Sequence, residues 1–500
     1  MSNVAGAVTA SSAEAGAAGV RILRAGGNAV DAAVAAALAS CVADPCNTGI
    51  GGFGGHMIVA PRDRAPACID FNLWAPVGAM ETYRCAATGG PAASVIPNVV
   101  AGLSAALQAF GSMSWAKVIE PAIVLAEDGF IAGTTLVRAL EDVKGAAFVD
   151  ECFAIERVGN DGGSLRIRQP ALAATLGQLA AEGPQRFYDG PIAAIGSRCL
   201  SEAGHPTTIA HWADALGAVT VAPPSALRLD NAGVFSAPLG TSGSICMFAT
   251  VAAGAALAAE GDLDSPRSIC RWAERMAAAW SYRFGAPGGN AIASDAIEEW
   301  IARATAYQPS AAAAAGCGHT CHLNVADSGG MLVAATLTHG KLWFGARWAL
   351  PGTGVIMNYG GPMVCDPQPV IVARRAYGVT NMAPTIARLD DGAAVAVGSP
   401  GARRIASIVG LVLARHLFGG MPLQEAVLQG RFHAEARDRA SLEPDRLPRA
   451  VTAALQATFQ TVEAEKRANY YGPCTAIRHD ESGMLTLGID DRWPGFGVVA

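Results

Sequence analysis

The chain has 500 residues, of which 51% are hydrophobic and 16% charged, with 58 glycines and a formal net charge of −6. This composition excludes a disordered chain and suits either about three domains or one large layered fold with a sizeable core. The slightly acidic balance, without a Lys/Arg run or an interleaved aromatic series, excludes nucleic acid as an expected partner and leaves a small molecule.

The first nine residues, Met1 to Thr9, carry no basic stretch, and Glu14 arrives before any apolar core long enough for export, so no signal peptide is read there. The longest apolar tracts, Ala32 to Ala43 and Cys246 to Ala259, fall short of a membrane span. A soluble, cytoplasmic protein is expected, with no membrane partner, and its twelve scattered cysteines are read as reduced thiols. Residues 13 to 43 read as two helices broken at Gly26-Gly27-Asn28, where Asn28 can cap the second, a helix apolar nearly all round and therefore buried. A Gly-rich turn follows from Asp44 and leads into a strand through Met57-Ile58-Val59. It resembles a phosphate loop without the lysine, so its glycines are read as permitting close backbone packing.

Residues 97 to 130 are read as helical, with Ser114 as a cap and Pro121 opening a third helix. Helices and short loops are expected from 137 to 230, and another helix from 260 to 285, closed by Pro287-Gly288-Gly289. The small-residue run Ala311 to Ala315 suits a processing linker. After it the pattern turns to short strands at His322 to Val325, Met331 to Leu337 and Gly354 to Met357. Helices at Arg404 to Phe418 and Leu423 to Ala434 follow, then strands at Ala476-Ile477 and Met484 to Gly488.

The segment from Gly316 to Asp327 carries the chemistry. Thr320 opens a strand-like run after a Gly-rich approach, and a chain break before it would free an α-amine able to act as the base for its own hydroxyl. Cys317, Cys321 and His322 offer a rival reading as haem or zinc ligands, with His319 between them. No second Cys/His cluster completes a ligand set, so neither metal nor cofactor is expected. Cys321 and His322, adjacent on a strand, should also face opposite ways.

Ordered blocks carry a resemblance. They are GGNAVDAAVA at 26 to 35, GIGGFGGHM at 49 to 57, PNVVAG at 97 to 102 and WAKVIEPAIVLAEDGF at 115 to 130. Thr320-Cys321-His322 with Asp327, PGTG at 351 to 354, NMAPTI at 381 to 386 and GSPGARRI at 398 to 405 complete the set. In order and spacing the chain resembles the γ-glutamyltranspeptidase family of N-terminal-nucleophile hydrolases. The resemblance implies an α+β fold, a four-layer αββα sandwich, and self-cleavage between His319 and Thr320. Residues 1–319 would form a large chain and 320–500 a small one, together one compact domain. It further implies Thr320 as nucleophile, Thr338 orienting it through a hydroxyl contact, and backbone donors for the oxyanion at Gly401 and Ala402. Ala402 stands where the family has a second glycine, which a donor tolerates if φ is negative. Thr380 and Asn381 match a Ser-Ser pair lining the substrate site.

Two departures alter the expected substrate. The family's carboxylate-binding arginine, in an F-R-E-x-x-P block, is Asn72 in Phe71-Asn72-Leu73-Trp74-Ala75-Pro76. Its ammonium-binding acid is Met363 in Asn358-Tyr359-Gly360-Gly361-Pro362-Met363-Val364. A zwitterionic head would lose both charge partners. Trp74 is available to stack on a flat acyl group, and His339, Lys341 and Trp343 follow Thr338, with Lys341 able to meet a substrate carboxylate. The leading expectation is a self-processing amidohydrolase or acyltransferase acting on a small amide. The alternatives are γ-glutamyl transfer or glutathione hydrolysis with Arg347 or Arg403 supplying the cation, a non-catalytic binding homologue, and cleavage of a C–C bond beside a carbonyl.

Overall fold

The structure is a computed structural model that describes residues 5–85, 89–159, 163–286, 289, 296–307, 319–365, 370–372, 375–464, 470–492 and 496–499. The Ala311 to Ala315 run, Cys317 and the Pro287-Gly288 stop lie outside them. The chain divides into two compact units. The first comprises Met1–Pro223, Cys317–Val379 and Phe496–Ala500, and the second comprises Pro224–Gly316 and Thr380–Gly495. The first unit therefore takes chain from both sides of Thr320.

The first unit is built on an antiparallel seven-stranded sheet in the order Phe496–Val499, Gly6–Ala10, His319–Asp327, Leu332–Gly340, Gly54–Ala60, Ala67–Phe71, Thr220–Ala222. His319–Asp327, the strand carrying Thr320, is thus internal, hydrogen-bonded to Gly6–Ala10 on one side and Leu332–Gly340 on the other. Helices Ala13–Arg24 and Ala29–Ala43 follow the first strand. Asn28 caps the second of them through a reciprocal capping box with Asp31, as its sequence predicts. All fifteen residues of that helix are buried, and it packs across the two central strands. Helices Val99–Phe110 and Trp115–Asp128 extend this helical layer. The close packing expected of the Gly-rich turn is seen at Gly54, where φ is +152 and a Cβ would stand 1.9 Å from the Phe71 carbonyl oxygen.

The second unit has an antiparallel six-stranded sheet in the order Leu485–Ile489, Thr475–His479, Ala394–Gly398, Thr385–Leu389, Ala232–Ser236, Ser225–Leu229. Helices Ser244–Glu260, Pro266–Gly285 and Arg404–Leu417 pack on one another, and the last also packs on the strand Ala394–Gly398.

Some elements differ from expectation. Pro121 lies inside Trp115–Asp128 rather than opening a helix, at the cost of one backbone hydrogen bond. The stretch 137 to 230 contains strands as well as helices, among them the antiparallel pair Ala154–Val158 with Ser164–Arg168, where Leu165 and Ile167 alternate with exposed polar residues over only five positions. The helix begun at Leu423 stops at Leu428, and Phe432–Ala436 is a strand: Gly430 passes so close to the Arg446 carbonyl that a Cβ would lie 2.4 Å from it.

Candidate active site

Thr320 is buried near the start of its strand, at an irregularity in the pairing. His319 pairs with Gly340 and Cys321 with Leu337, so one residue, Thr320, faces two, Thr338 and His339. This is a β-bulge, a device that re-aims side chains beside active sites. The Thr338 hydroxyl donates to the carbonyl oxygen of His319 and accepts the Gly340 N–H at 2.9 Å. The second threonine thus holds the carbonyl of the peptide bond that precedes Thr320, with its own oxygen fixed by the backbone. A hydroxyl on that carbonyl stabilises negative charge developing there when the bond is attacked.

The imidazole of His319 lies 5.2 Å from the Trp343 ring, centroid to centroid, at 43°. Burial, helped by nearby Arg347 and opposed by Asp142, pushes its pKa down to about 4. His339 is fully buried, with its ring against Gly49, where a Cβ would stand 2.5 Å from Nε2. Burial pushes it to about 4 as well, and beside the Thr48 backbone neither ring nitrogen makes a well-formed hydrogen bond among the described residues. Lys341 is exposed. Met363 reaches back toward the bulge: its Sδ is 3.3 Å from where a Cβ on Gly340 would be.

Successive residues of the strand serve different faces. Cys321 turns toward the helices, its Sγ 3.1 Å from the Ser11 hydroxyl, in surroundings that push the thiol up to about 12. His322 shares the face of Thr320 and is locked on both nitrogens: Nδ1 accepts from the Thr336 hydroxyl at 2.9 Å and Nε2–H donates to Asn324 Oδ1 at 3.0 Å. The Asn324 amide continues to Thr9 Oγ1 at 3.1 Å. Among the described residues no group of three Cys, His or acidic side chains could hold a metal ion, and no helix is long and apolar enough to cross a membrane.

Asn72 follows the strand that pairs with Gly54–Ala60, and so lies about 10 Å, two strand spacings, from Thr338 in register. It is buried, its Nδ2 donating to the Gly378 carbonyl at 3.1 Å and its Oδ1 accepting the Leu73 N–H at 2.8 Å. Trp74 is buried beneath the Arg375 guanidinium, 5.2 Å from the ring centre, and its indole N–H has no partner among the described residues.

In the second unit, Thr380 is buried, donating through Oγ1 to the Thr241 carbonyl at 3.1 Å, and its own carbonyl accepts from Arg283 at 3.1 Å. Asn381 is half-buried, its backbone tight against Gly243. At Gly401-Ala402 the condition of negative φ is not met. Ala402 has φ of 56 and Gly401 has φ of +131, just before the helix Arg404–Leu417. The residue that replaced glycine kept glycine's conformation, a strained one for an L-residue. Neither amide N–H donates a hydrogen bond among the described residues.

A sequence model of the family described as Gamma-glutamyltranspeptidase matches residues 15–499. The chain belongs to the γ-glutamyltranspeptidase family. The Acylase ACY 1 proenzyme of Pseudomonas sp. (strain SE83) is 30% identical over 94% of this chain and 89% of its own length. The Oxamate amidohydrolase proenzyme of Klebsiella pneumoniae is 29% identical over 95% and 94%. The Glutathione hydrolase proenzyme of Pseudomonas sp. (strain A14) is 28% identical over 83% and 79%. Among solved structures, the cephalosporin acylase of Bacillus halodurans matches with a TM-score of 0.84 at 20% identity, covering 99% of this chain and 96% of that one. That likeness shows the fold, an α+β arrangement. Membership makes this γ-glutamyltranspeptidase-family chain an enzyme of the amidohydrolase type. The contact between His319 and Trp343 and the bulge at Thr338-His339 were not read from the sequence. The spacing of two threonines and a glycine across the paired strands is the signal nearest to them.

Proposed function

We propose that the protein is a self-processing amidohydrolase in which Thr320, freed by cleavage after His319, attacks a small amide and forms an acyl-enzyme. The observation that carries this reading is the Thr338 hydroxyl on the His319 carbonyl, because it addresses the bond that must break. In processing, Thr320 Oγ adds to that carbonyl, the C–N bond opens to an ester, and water resolves it. In turnover the new α-amine takes the Thr320 hydroxyl proton and passes it to the leaving amine, and water or an acceptor amine releases the acyl group. Gly401 and Ala402, carried over from the family motif, are the proposed oxyanion donors, with Ala402 in the left-handed backbone conformation that a glycine would take there. Their unengaged amides support the role.

The substrate is proposed to lack an α-amino-acid head. Position 72 holds a neutral amide already bonded to backbone, and position 363 holds a thioether. The two arginines that could replace the lost cation are each paired, Arg347 with Asp142 at 2.6 Å and Arg403 with Glu435 at 3.0 Å. The names of the relatives, an acylase and an oxamate amidohydrolase beside glutathione hydrolases, support a family tolerant of varied acyl groups. A cytoplasmic setting is also proposed, supported by the free, buried thiols of Cys41, Cys46, Cys68, Cys246 and Cys474. The test is turnover of γ-glutamyl p-nitroanilide against simple acyl p-nitroanilides. The γ-glutamyl compound should be the poorer substrate by at least about a hundredfold, as loss of two charge contacts worth over ~1.4 kcal/mol each requires. γ-Glutamyl turnover on the order of 10 per second would refute the changed pocket.

A further inference from the structure

The processing reaction is itself an acyl transfer, and the chain supplies its acyl group. When Thr320 Oγ adds to the His319 carbonyl and the C–N bond opens, the resulting ester is an acyl-enzyme whose acyl part is His319. That acyl part has an imidazole ring two carbons beyond the carbonyl. The surroundings of the ring before cleavage therefore describe where an acyl group on Thr320 can rest.

Those surroundings are specific. The His319 ring meets Trp343 at 5.2 Å. Across the strand pair stands Gly340, with Met363 Sδ close beyond it. Among the described residues, the charges that act on the ring are Arg347 and Asp142, which neutralise each other in an ion pair of 2.6 Å. An indole ring, a thioether and a self-neutralised ion pair suit a flat, uncharged group and offer no countercharge to an ammonium or a carboxylate.

We propose that Trp343 is the acyl-group wall of the mature enzyme, and that its preferred amides carry a planar, uncharged ring two carbons from the scissile carbonyl. This rests on the reading of Thr320 as nucleophile. Hydrolysis of the processing ester releases His319 as a chain end and leaves the Trp343 face to the substrate. The reaction is then ordinary amide hydrolysis: the Thr320 O–C bond forms, the amide C–N bond breaks, the amine departs with the proton, and water returns the acid.

The test compares 3-phenylpropanoyl and hexanoyl p-nitroanilides with the two-chain enzyme. The ring compound should be favoured in kcat/KM by roughly tenfold, the scale of one good aromatic contact. Trp343→Leu should bring the ratio close to one, while Trp343→Phe, which keeps a ring, should retain most of it. A hexanoyl compound used equally well, or a ratio unmoved in Trp343→Leu, overturns the proposal. Trapping with the corresponding p-nitrophenyl esters separates the two levels. Equal mass adducts on the Thr320 chain keep the nucleophile and overturn only the wall, whereas no adduct from either ester defeats the nucleophile reading and this inference with it.

Discussion

At the scale of the residue, two threonines and one alanine decide the chemistry. Thr338 is tied to the His319 carbonyl by its hydroxyl, so Thr338→Val, which keeps the shape and removes the donor, should slow processing by about a hundredfold. Thr338→Ser should restore most of the rate. Time courses of chain separation on denaturing gels check this, and unimpaired cleavage in Thr338→Val would contradict it. Ala402 sits at φ of 56, where a β-branched side chain fits badly. Ala402→Val should therefore cost about 2 kcal/mol of stability, read from urea unfolding, while Ala402→Gly should cost nothing. A destabilised glycine variant would show that the methyl group, rather than the backbone, matters at that turn.

At the scale of the element, Asn28 was legible as a cap because one residue type at one position fixes it. Thr320 was legible as the start of a strand because apolar sequence and turn signals bracket it. The bulge was not: it arises from a register shift between strands, and register depends on both partners. The left-handed Ala402 was hidden for a related reason, since alanine gives no sign of a positive φ that its surroundings impose. The strands Thr385–Leu389 and Ala394–Gly398 were missed because short apolar runs inside a sheet lack a polar alternation to announce them. The family blocks located the candidate residues, while the ring contact between His319 and Trp343 required the fold.

The strand of Thr320 and its neighbour Leu332–Gly340 also carry a pH dependence. His322 and His339 are held neutral by burial to about pH 4, whereas an unfolded imidazole protonates near pH ~6.5. Between those values the unfolded chain binds more protons, so stability falls as pH falls, by about 1.4 kcal/mol per pH unit for each imidazole. Asp44 works the other way. Burial raises its carboxyl to about 7, so in the same window the folded state holds the extra proton and stability rises as pH falls. These two imidazoles and that of His319, also pushed down to about 4, outweigh the one carboxyl and leave a net loss, and His433, His416 and His205, also depressed by burial, act in the same direction. Urea midpoints should drop from pH 6.5 to pH 5, and His322→Gln should remove roughly one imidazole's share of the slope. A flat profile in the wild type would contradict the neutral, buried imidazoles.

At the scale of the whole molecule, each unit pairs a sheet with helices, and the first threads its sheet with strands from both sides of the expected cleavage point. Gly6–Ala10 and His319–Asp327 are adjacent strands of one sheet although more than 300 residues separate them, so a break before Thr320 would leave the large and small chains joined by a continuous ladder of hydrogen bonds. The two chains should therefore copurify and separate only on denaturation. The most direct test of the central claim is the intact mass and N-terminal sequence of the denatured, active protein. Two chains are expected, residues 1–319 and 320–500, the smaller beginning at Thr320, with Thr320→Ala remaining a single chain. A single uncut chain in fully active wild-type protein, or a small chain beginning at another residue, would contradict it.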